Sequence, residues 1–498
     1  MKPSTPIPVT APLDETDDSP LHSFWWLKRM VMVSVLFITF VSGSWLWLNH
    51  RAERRLAAEI QEWKREGLPI EPEDFEQPPV PDEQNAAVAF NHAVHAIADM
   101  TAWEQSYLSD DFNKYPWNAQ TLAVAEDTTA VNYEALHSLR AARKLTRVRW
   151  DVIPLKNFGT WNGDPHRIDF TPIRALANII RTAAIAAHQR GDDAAFLEYL
   201  HDFQFIAETT AHNGNIVSRL IACGIDSLAA GMTGIVASDL RLETPALRAE
   251  ARARIAAWSV PDRLPGKALT TASEAKLLLE FLMDVNARAV LRAGDHTIAE
   301  RLDAAVWYGM KPNRTQLTVD VLSYMRRLVH AAHQQNWPAA SRELANSPPP
   351  TCLPTGVEPL GTIIQVTSRT EVVINDRYLQ RFFQNDLHLN VAVLHLACRL
   401  YAIDHGGHHP KNLAELVPDY LPVIPVDCFD ANGKTFLIHT ATTQPFFYAL
   451  KGGPDLVAKG TWMPTLAQHE DFHTPIFVSF LNPHPGAATT QPAVQPVR

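Results

Sequence analysis

Ile173 to Ala207 reads IRALANIIRTAAIAAHQRGDDAAFLEYLHDFQFIA. Ile173, Leu176, Ile180, Ala183 and Ala187 recur at helical spacing, and after Gly191-Asp192 the pattern restarts with Phe196, Leu200, Phe203 and Ala207. Gly can end one helix in the left-handed conformation and Asp can cap the next, so the stretch predicts an antiparallel helical hairpin. A third helix follows, with Val217, Ile221, Gly224 and Leu228 on one face. Small residues at Ala183, Ala184 and Gly224 are expected to let helix backbones approach closely.

Working outward, helical pattern dominates from Asn85, where Phe90, Val94 and Ile97 begin it, to about Glu343. The hairpin is similar to those of tetratricopeptide arrays, but no second copy appears at a 34-residue period, so an irregular helical bundle is the reading that fits better. The α-helical domain is placed at 83–347. Ser347 to Pro350, Pro354 and Pro359 then form a linker at 348–368, because a Ser-Pro-Pro-Pro run enters neither a helix nor a central strand. A further domain is expected at 369–482. It opens with a long helix carrying Leu387, Val391, Leu394 and Leu400 and ends in short β-like runs at Thr435 to His439, Phe446 to Leu450 and Ile476 to Leu481. The fold class is therefore mostly α with a small α+β C-terminal part. Residues 483–498, with four prolines, are expected to be a disordered tail.

Toward the N-terminus, Met30 to Leu48 reads MVMVSVLFITFVSGSWLWL without a charge and spans roughly 28 Å as a helix, about one hydrocarbon core. Trp25 and Trp26 on one side, Trp45 and Trp47 on the other, with Lys28, Arg29, Arg51 and Arg54, match the aromatic and polar flanks of a membrane span. The lipid bilayer is thus an expected partner through residues 24–48, within a transmembrane helix at 23–49. A cleaved signal peptide, with Val31 to Val41 as its apolar stretch and Ser42 and Ser44 before the cut, is the alternative. Residues 1–22 carry five prolines and an acidic cluster and are expected to be a disordered tail. Leu56, Ile60 and Trp63 extend the anchor into a juxtamembrane helix at 50–67, closed by Gly67. The prolines of 68–82 read as an extended linker.

The chain has 498 residues, 46% of them hydrophobic, with 44 basic and 54 acidic side chains and a net charge of -10. Without a basic block, nucleic acid is not an expected partner. Cys223, Cys352, Cys398 and Cys428 include no C-x-x-C pair, so neither a zinc knuckle nor a dense disulfide framework is indicated. Cys398 with Cys428 remains an option for one disulfide in an exported domain. No P-loop, G-x-S-x-G or dinucleotide fingerprint occurs.

His469-Glu470-Asp471-Phe472-His473 satisfies H-E-x-x-H, which on a helix places two imidazoles for zinc and a carboxylate beside the bound water. Pro464 and Pro475 confine any such helix, and His484, the only later histidine, stands far from the usual third-ligand spacing. A third ligand could otherwise come from the turn Asp404, His405, His408 and His409, itself a possible transition-metal site. The bland alternative is a solvated glycine-rich turn. No cofactor and no catalytic residue is assigned.

Leu400 to Asp430, LYAIDHGGHHPKNLAELVPDYLPVIPVDCFD, resembles the C-terminal region of type II secretion major pseudopilins, whose pattern runs LY..D.G..P..L..L before a hydrophobic-Pro-Asp turn. Matching positions are Leu400, Tyr401, Asp404, Gly406, Pro410, Leu413, Leu416, Pro425 and Asp427, with one extra residue between Gly406 and Pro410. Phe447, Tyr448, Gly452, Gly453 and Asp455 are loosely similar to the loop before that family's last strand. The arrangement also resembles uncharacterised bacterial single-pass membrane proteins that carry such a segment after a helical region. The resemblance implies an inner-membrane protein with its large C-terminal region extracytoplasmic, although the count of flanking Lys and Arg favours the opposite side. Phe24 to Arg29 reads FWWLKR where pseudopilins need a processing motif, so neither peptidase cleavage nor filament assembly is implied. Only Asp455 falls where that family binds calcium, and calcium needs six to eight oxygens. The expectation is a membrane-anchored, non-catalytic envelope scaffold with possible protein partners in the envelope. A membrane-tethered zinc metallohydrolase and a ligand-binding helical domain are the alternatives.

Overall fold

The computed structural model describes residues 21–75, 77–98, 112, 115–150, 168–260, 266–283, 311–345, 377–439, 446–448 and 478–480. The expected tails, the 348–368 linker, Cys352, Asp455 and the H-E-x-x-H string lie wholly or almost wholly outside these residues. The chain is mostly helical. Its helices are α1 (Leu21–Arg65), α2 (Ala86–His95), α3 (Ala119–Val131), α4 (Tyr133–Ala142), α5 (Phe170–Gln189), α6 (Asp193–Ala211), α7 (Ile216–Val236), α8 (Pro245–Trp258), α9 (Lys267–Met283), α10 (Lys311–Ala332), α11 (Trp337–Ala345) and α12 (Arg377–Asp404). Three short strands, β1 (Leu437–His439), β2 (Phe446–Tyr448) and β3 (Val478–Phe480), pair antiparallel in that order, with Ile438 opposite Phe447 and Phe447 opposite Ser479.

Two compact units divide the chain, one of Met1–Ala58 with Asn286–Gln316 and one of Glu59–Val285 with Leu317–Arg498. In the first, α1 exposes its apolar stretch from Trp25 to Leu48, with Phe37 66% and Phe40 73% accessible. Lys311 Nζ pairs with Glu53 Oε1 at 2.7 Å, and Arg55 donates to Gln316 Oε1 at 2.9 Å.

In the second unit the hairpin organises the core. Asp169 caps α5 by accepting from Thr171 N, and Asp192 caps α6 by accepting from Ala195 N at 3.0 Å. Gly191 makes the reversal at φ +88°, a conformation that costs a side-chain-bearing residue but not glycine. α5 packs on α6, and α7 packs on both. Phe196, Leu200, Phe203 and Ile206 of α6 are fully buried between their neighbours. α3 lies on α5, α4 on α2 and α8 on α6. Phe90 of α2 meets the rings of Trp150 and Phe205 edge to face, and Trp150 Nε1 donates to Thr209 O at 2.7 Å.

Two expectations change here. α7 buries Ile216, Ser218, Arg219, Ala222, Cys223, Ile225, Asp226 and Ala229, whereas Val217 is exposed and a Cβ built on Gly224 meets nothing within 4 Å. The face carrying Val217 and Gly224 is the outer one, so Gly224 mediates no close helix approach. The second change concerns 68–82, read as an extended spacer. Ile70 is buried, both Ile70 N and Glu71 N donate to Asp74 Oδ2 at 2.9 Å, and Gln77 Nε2 donates to His212 O at 3.1 Å. This segment packs along the unit because its few apolar and amide side chains find partners there.

α12 is the main cover of α7 and also packs on α8. Leu387, Val391, Leu394 and Leu400 are all buried, as their spacing anticipates. The proline boundary predicts that this helix belongs with the strands in a domain separate from the helical one. In the structure its buried side faces α7 and α8, which precede the proline boundary. Gly407 N closes its C-terminus by donating to Ala402 O at 2.7 Å, with Gly406 at φ +64° and Gly407 at φ +89°.

Candidate functional site

Among the described residues two helices are long and apolar enough to cross a membrane, α1 and the segment Ile216–Asp239 that contains α7. They differ in what surrounds them. None of the apolar window in α1 is buried, whereas 56% of the α7 window is covered. α7 also carries Arg219 and Asp226 on its buried face, a composition suited to a protein interior and expensive in lipid. α1 leaves its apolar residues uncovered over the whole of that window.

Along α1 every main-chain group within the apolar run can be satisfied by the helix itself, which hydrocarbon requires. Thr39 Oγ1 donates to Val35 O at 2.7 Å, so its hydroxyl is also satisfied. Thr39, Gly43 and Ser44 form a shallow groove bounded by Phe40, Trp47 and Leu48. At one end the Arg29 guanidinium lies 3.5 Å from the centre of the Trp25 ring, and at the other Arg51 lies 5.3 Å from that of Trp47. Cation over ring is a favourable pairing, and both partners suit the headgroup layer.

Beyond Leu48 the same helix runs to Arg65. There Trp63 is fully buried, and Arg326 of α10 binds Glu59 Oε1 at 2.9 Å and Glu66 Oε1 at 2.6 Å. His330 Nε2 lies 2.9 Å from Glu66 Oε2. These contacts secure the end of α1 within the second unit.

The histidine turn after α12 assembles as a structural corner. Asp404 accepts from Arg248 at 2.7 Å and from the Tyr420 hydroxyl at 3.0 Å, and the His405 ring stacks on Tyr401 with centroids 3.8 Å apart. The Tyr401 hydroxyl donates to Glu415 Oε2 at 2.8 Å, while Pro410, Leu413 and Leu416 turn inward and are buried. Among the described residues no group of three His, Cys, Asp or Glu side chains is placed to hold a metal ion. Cys398 and Cys428 are both buried and free, so the disulfide option is not realised. The Cys428 thiol instead donates to Phe383 O at 3.1 Å, and burial pushes its pKa well up.

Sequence reasoning missed the buried polar clusters between helices. Asp202 of α6 is completely buried, accepting from Arg143 at 2.6 Å and Arg140 at 3.2 Å. Arg143 also grips Glu198. Burial pushes the Asp202 carboxyl up to about 6 against the pull of Arg143 and Arg140. At the α5–α6 turn, His188 Nδ1 lies 2.6 Å from Asp193 Oδ1, with both side chains buried. Between α7 and α12, Asn385 donates to Asp226 Oδ2 at 3.3 Å, and Ser227 Oγ lies 3.1 Å from His388 Nδ1. Burial, and then Arg381, lowers the His388 pKa. These polar groups fix how helices pair. A spacing rule that looks for apolar stripes passes over them, and their only sequence signal is a charge in an otherwise apolar helix, as at Asp226.

Compared with known proteins, this chain matches no family model, no curated protein and no solved structure.

Proposed function

We propose that the protein is a single-pass, membrane-anchored scaffold of the cell envelope, held in the inner membrane by residues 24–48 and presenting its helical region outside the cytoplasm as a surface for protein partners. The observation that carries this reading is the uncovered apolar stretch of α1 with its Trp25–Arg29 and Trp47–Arg51 pairs. An exposed apolar surface of that extent is unfavourable in water and favourable in lipid. The buried, ion-paired and hydrogen-bonded state of the charged clusters supports a holding role, since these groups are engaged in helix pairing. The pseudopilin-like reading of 400–430 belongs to the same proposal. Its support is that Tyr401, Asp404, Gly406, Leu413 and Leu416 each fill the structural role that such a turn needs, and that three short strands follow.

The test is the membrane fraction of cells expressing the full chain. The protein is expected to resist alkaline extraction and to keep residues 24–48 in the mature polypeptide by mass spectrometry. A mature N-terminus near Trp45, with the protein in the soluble fraction, would overturn the anchor.

A further inference from the structure

The helix segment after Leu48 reads NHRAERRLAA, in which Glu53 is the only acid. That acid is already engaged. Lys311 Nζ reaches it at 2.7 Å and Asn49 Nδ2 at 3.0 Å, and its pKa is lowered, the Lys311 hydrogen bond contributing most. Arg55 donates to Gln316. Arg51 and Arg54 are left exposed, and neither forms an ion pair with a carboxylate among the described residues. Spaced three apart, they lie on one side of the helix, and Arg51 stands over the Trp47 ring.

We propose that Arg51 and Arg54, with the Trp47 ring, form a binding site for the phosphate of an anionic phospholipid headgroup at this end of the membrane helix. The inference rests on α1 being the anchor. Arg51 begins roughly 4.5 Å along the helix axis beyond Leu48, which is the depth of the headgroup layer. A guanidinium presents a planar fork of donors that matches two phosphate oxygens, which a lysine ammonium cannot do. Two exposed arginines without walls around them would compete poorly with water for a free anion. A headgroup is held at the right depth by its own acyl chains, so the two guanidinium forks need only engage its phosphate oxygens. The other end of the helix is built differently, because Arg29 lies close over the Trp25 face, its charge already directed to the ring.

The experiment reconstitutes the full chain in bilayers of phosphatidylcholine with a minor share of phosphatidylglycerol, extracts it with its surrounding lipid and quantifies that lipid by mass spectrometry. Phosphatidylglycerol is expected to be enriched about fivefold over the bulk. Arg51→Gln with Arg54→Gln is expected to return the ratio to the bulk value while the protein stays inserted. The paired lysine substitutions should retain less than half of the enrichment. Unchanged enrichment in the glutamine variant overturns the site, and full retention by the lysine pair replaces it with plain charge attraction. Displacement of the lipid by excess inorganic phosphate would also overturn it, in favour of a free-anion site. If the wild-type chain enters the bilayer without enrichment, only this proposal fails. If it does not enter at all, the anchor reading falls with it.

Discussion

His395 of α12 is buried, and burial, with His409 adding to it, brings its pKa down to about 4. The folded value lies below the unfolded one near 6.5, so the neutral ring favours the folded state above that pH. Its contribution is lost as pH falls through 4, and the whole shift corresponds to about 3 kcal/mol. Asp202 acts in the opposite sense. Its folded pKa of about 6 lies above the unfolded value, so its contribution is present below about pH 4 and lost as pH rises through 6. The useful measurement is therefore a difference. Thermal melts of wild type and His395→Gln from pH 7 to 4 should converge as the pH falls, since only the wild type loses the His395 contribution. A constant gap would place the titration elsewhere. Asp202→Ala removes the carboxylate but leaves the Arg143 and Arg140 guanidinium groups at the same place. It should cost about 3–5 kcal/mol by denaturant unfolding, with Arg140→Ala milder because that side chain is more exposed.

Within single helices the same substitution is expected to change sign with backbone position. Gly224→Ala falls inside α7 where an added Cβ meets nothing, and alanine there should stabilise by about 0.5–1 kcal/mol through helix propensity. Gly191→Ala falls at φ +88° with the Arg241 guanidinium as near as 2.7 Å to the added atom. The arginine tip can move aside but the backbone cannot, so a loss of about 1 kcal/mol or more is expected from the left-handed conformation. Thermal shifts of opposite direction for the two variants would check the pair. The two sites also mark what the sequence makes legible. Gly191 could be read because hairpin chemistry is local: a glycine that reverses the chain, an aspartate that caps, and apolar stripes on either side. The buried side of α7 could not, because the stripe of Val217 and Gly224, which are exposed, and Ile221 and Leu228, which are half-buried, looks the more apolar, while the buried face carries Arg219 and Asp226. Hydrophobic spacing selects the wrong face when the charges that belong inside are compensated by a helix far along the chain.

At the scale of the whole chain, that distant helix decides which parts can fold alone. The proline run near 348 is a local signal, and it lies outside the described residues. It carries no information on where α12 packs. Arg399 Nε donates to Leu240 O at 2.7 Å, Arg248 binds Asp404, Lys267 reaches Asp386 at 2.5 Å, and Trp337 N donates to Cys428 O at 2.8 Å, all joining residues on opposite sides of that run. The long apolar helix α1 was legible for the contrary reason, since an uncharged run of helical length needs no tertiary partner to be recognised. A fragment of residues 369–482 keeps α12 but removes α7 and α8, uncovering Leu387, Val391, Leu394 and Leu400 beside three strands too short to be stable by themselves. It is therefore expected to give no cooperative thermal transition and to aggregate or bind hydrophobic dye, whereas a chain starting at residue 59 and running to the C-terminus should melt as one unit. Circular dichroism and calorimetry of the two proteins decide the point. A sharp, reversible transition in the short fragment would mean that α12 finds its cover within 369–482, and that its packing on α7 joins two independently stable domains.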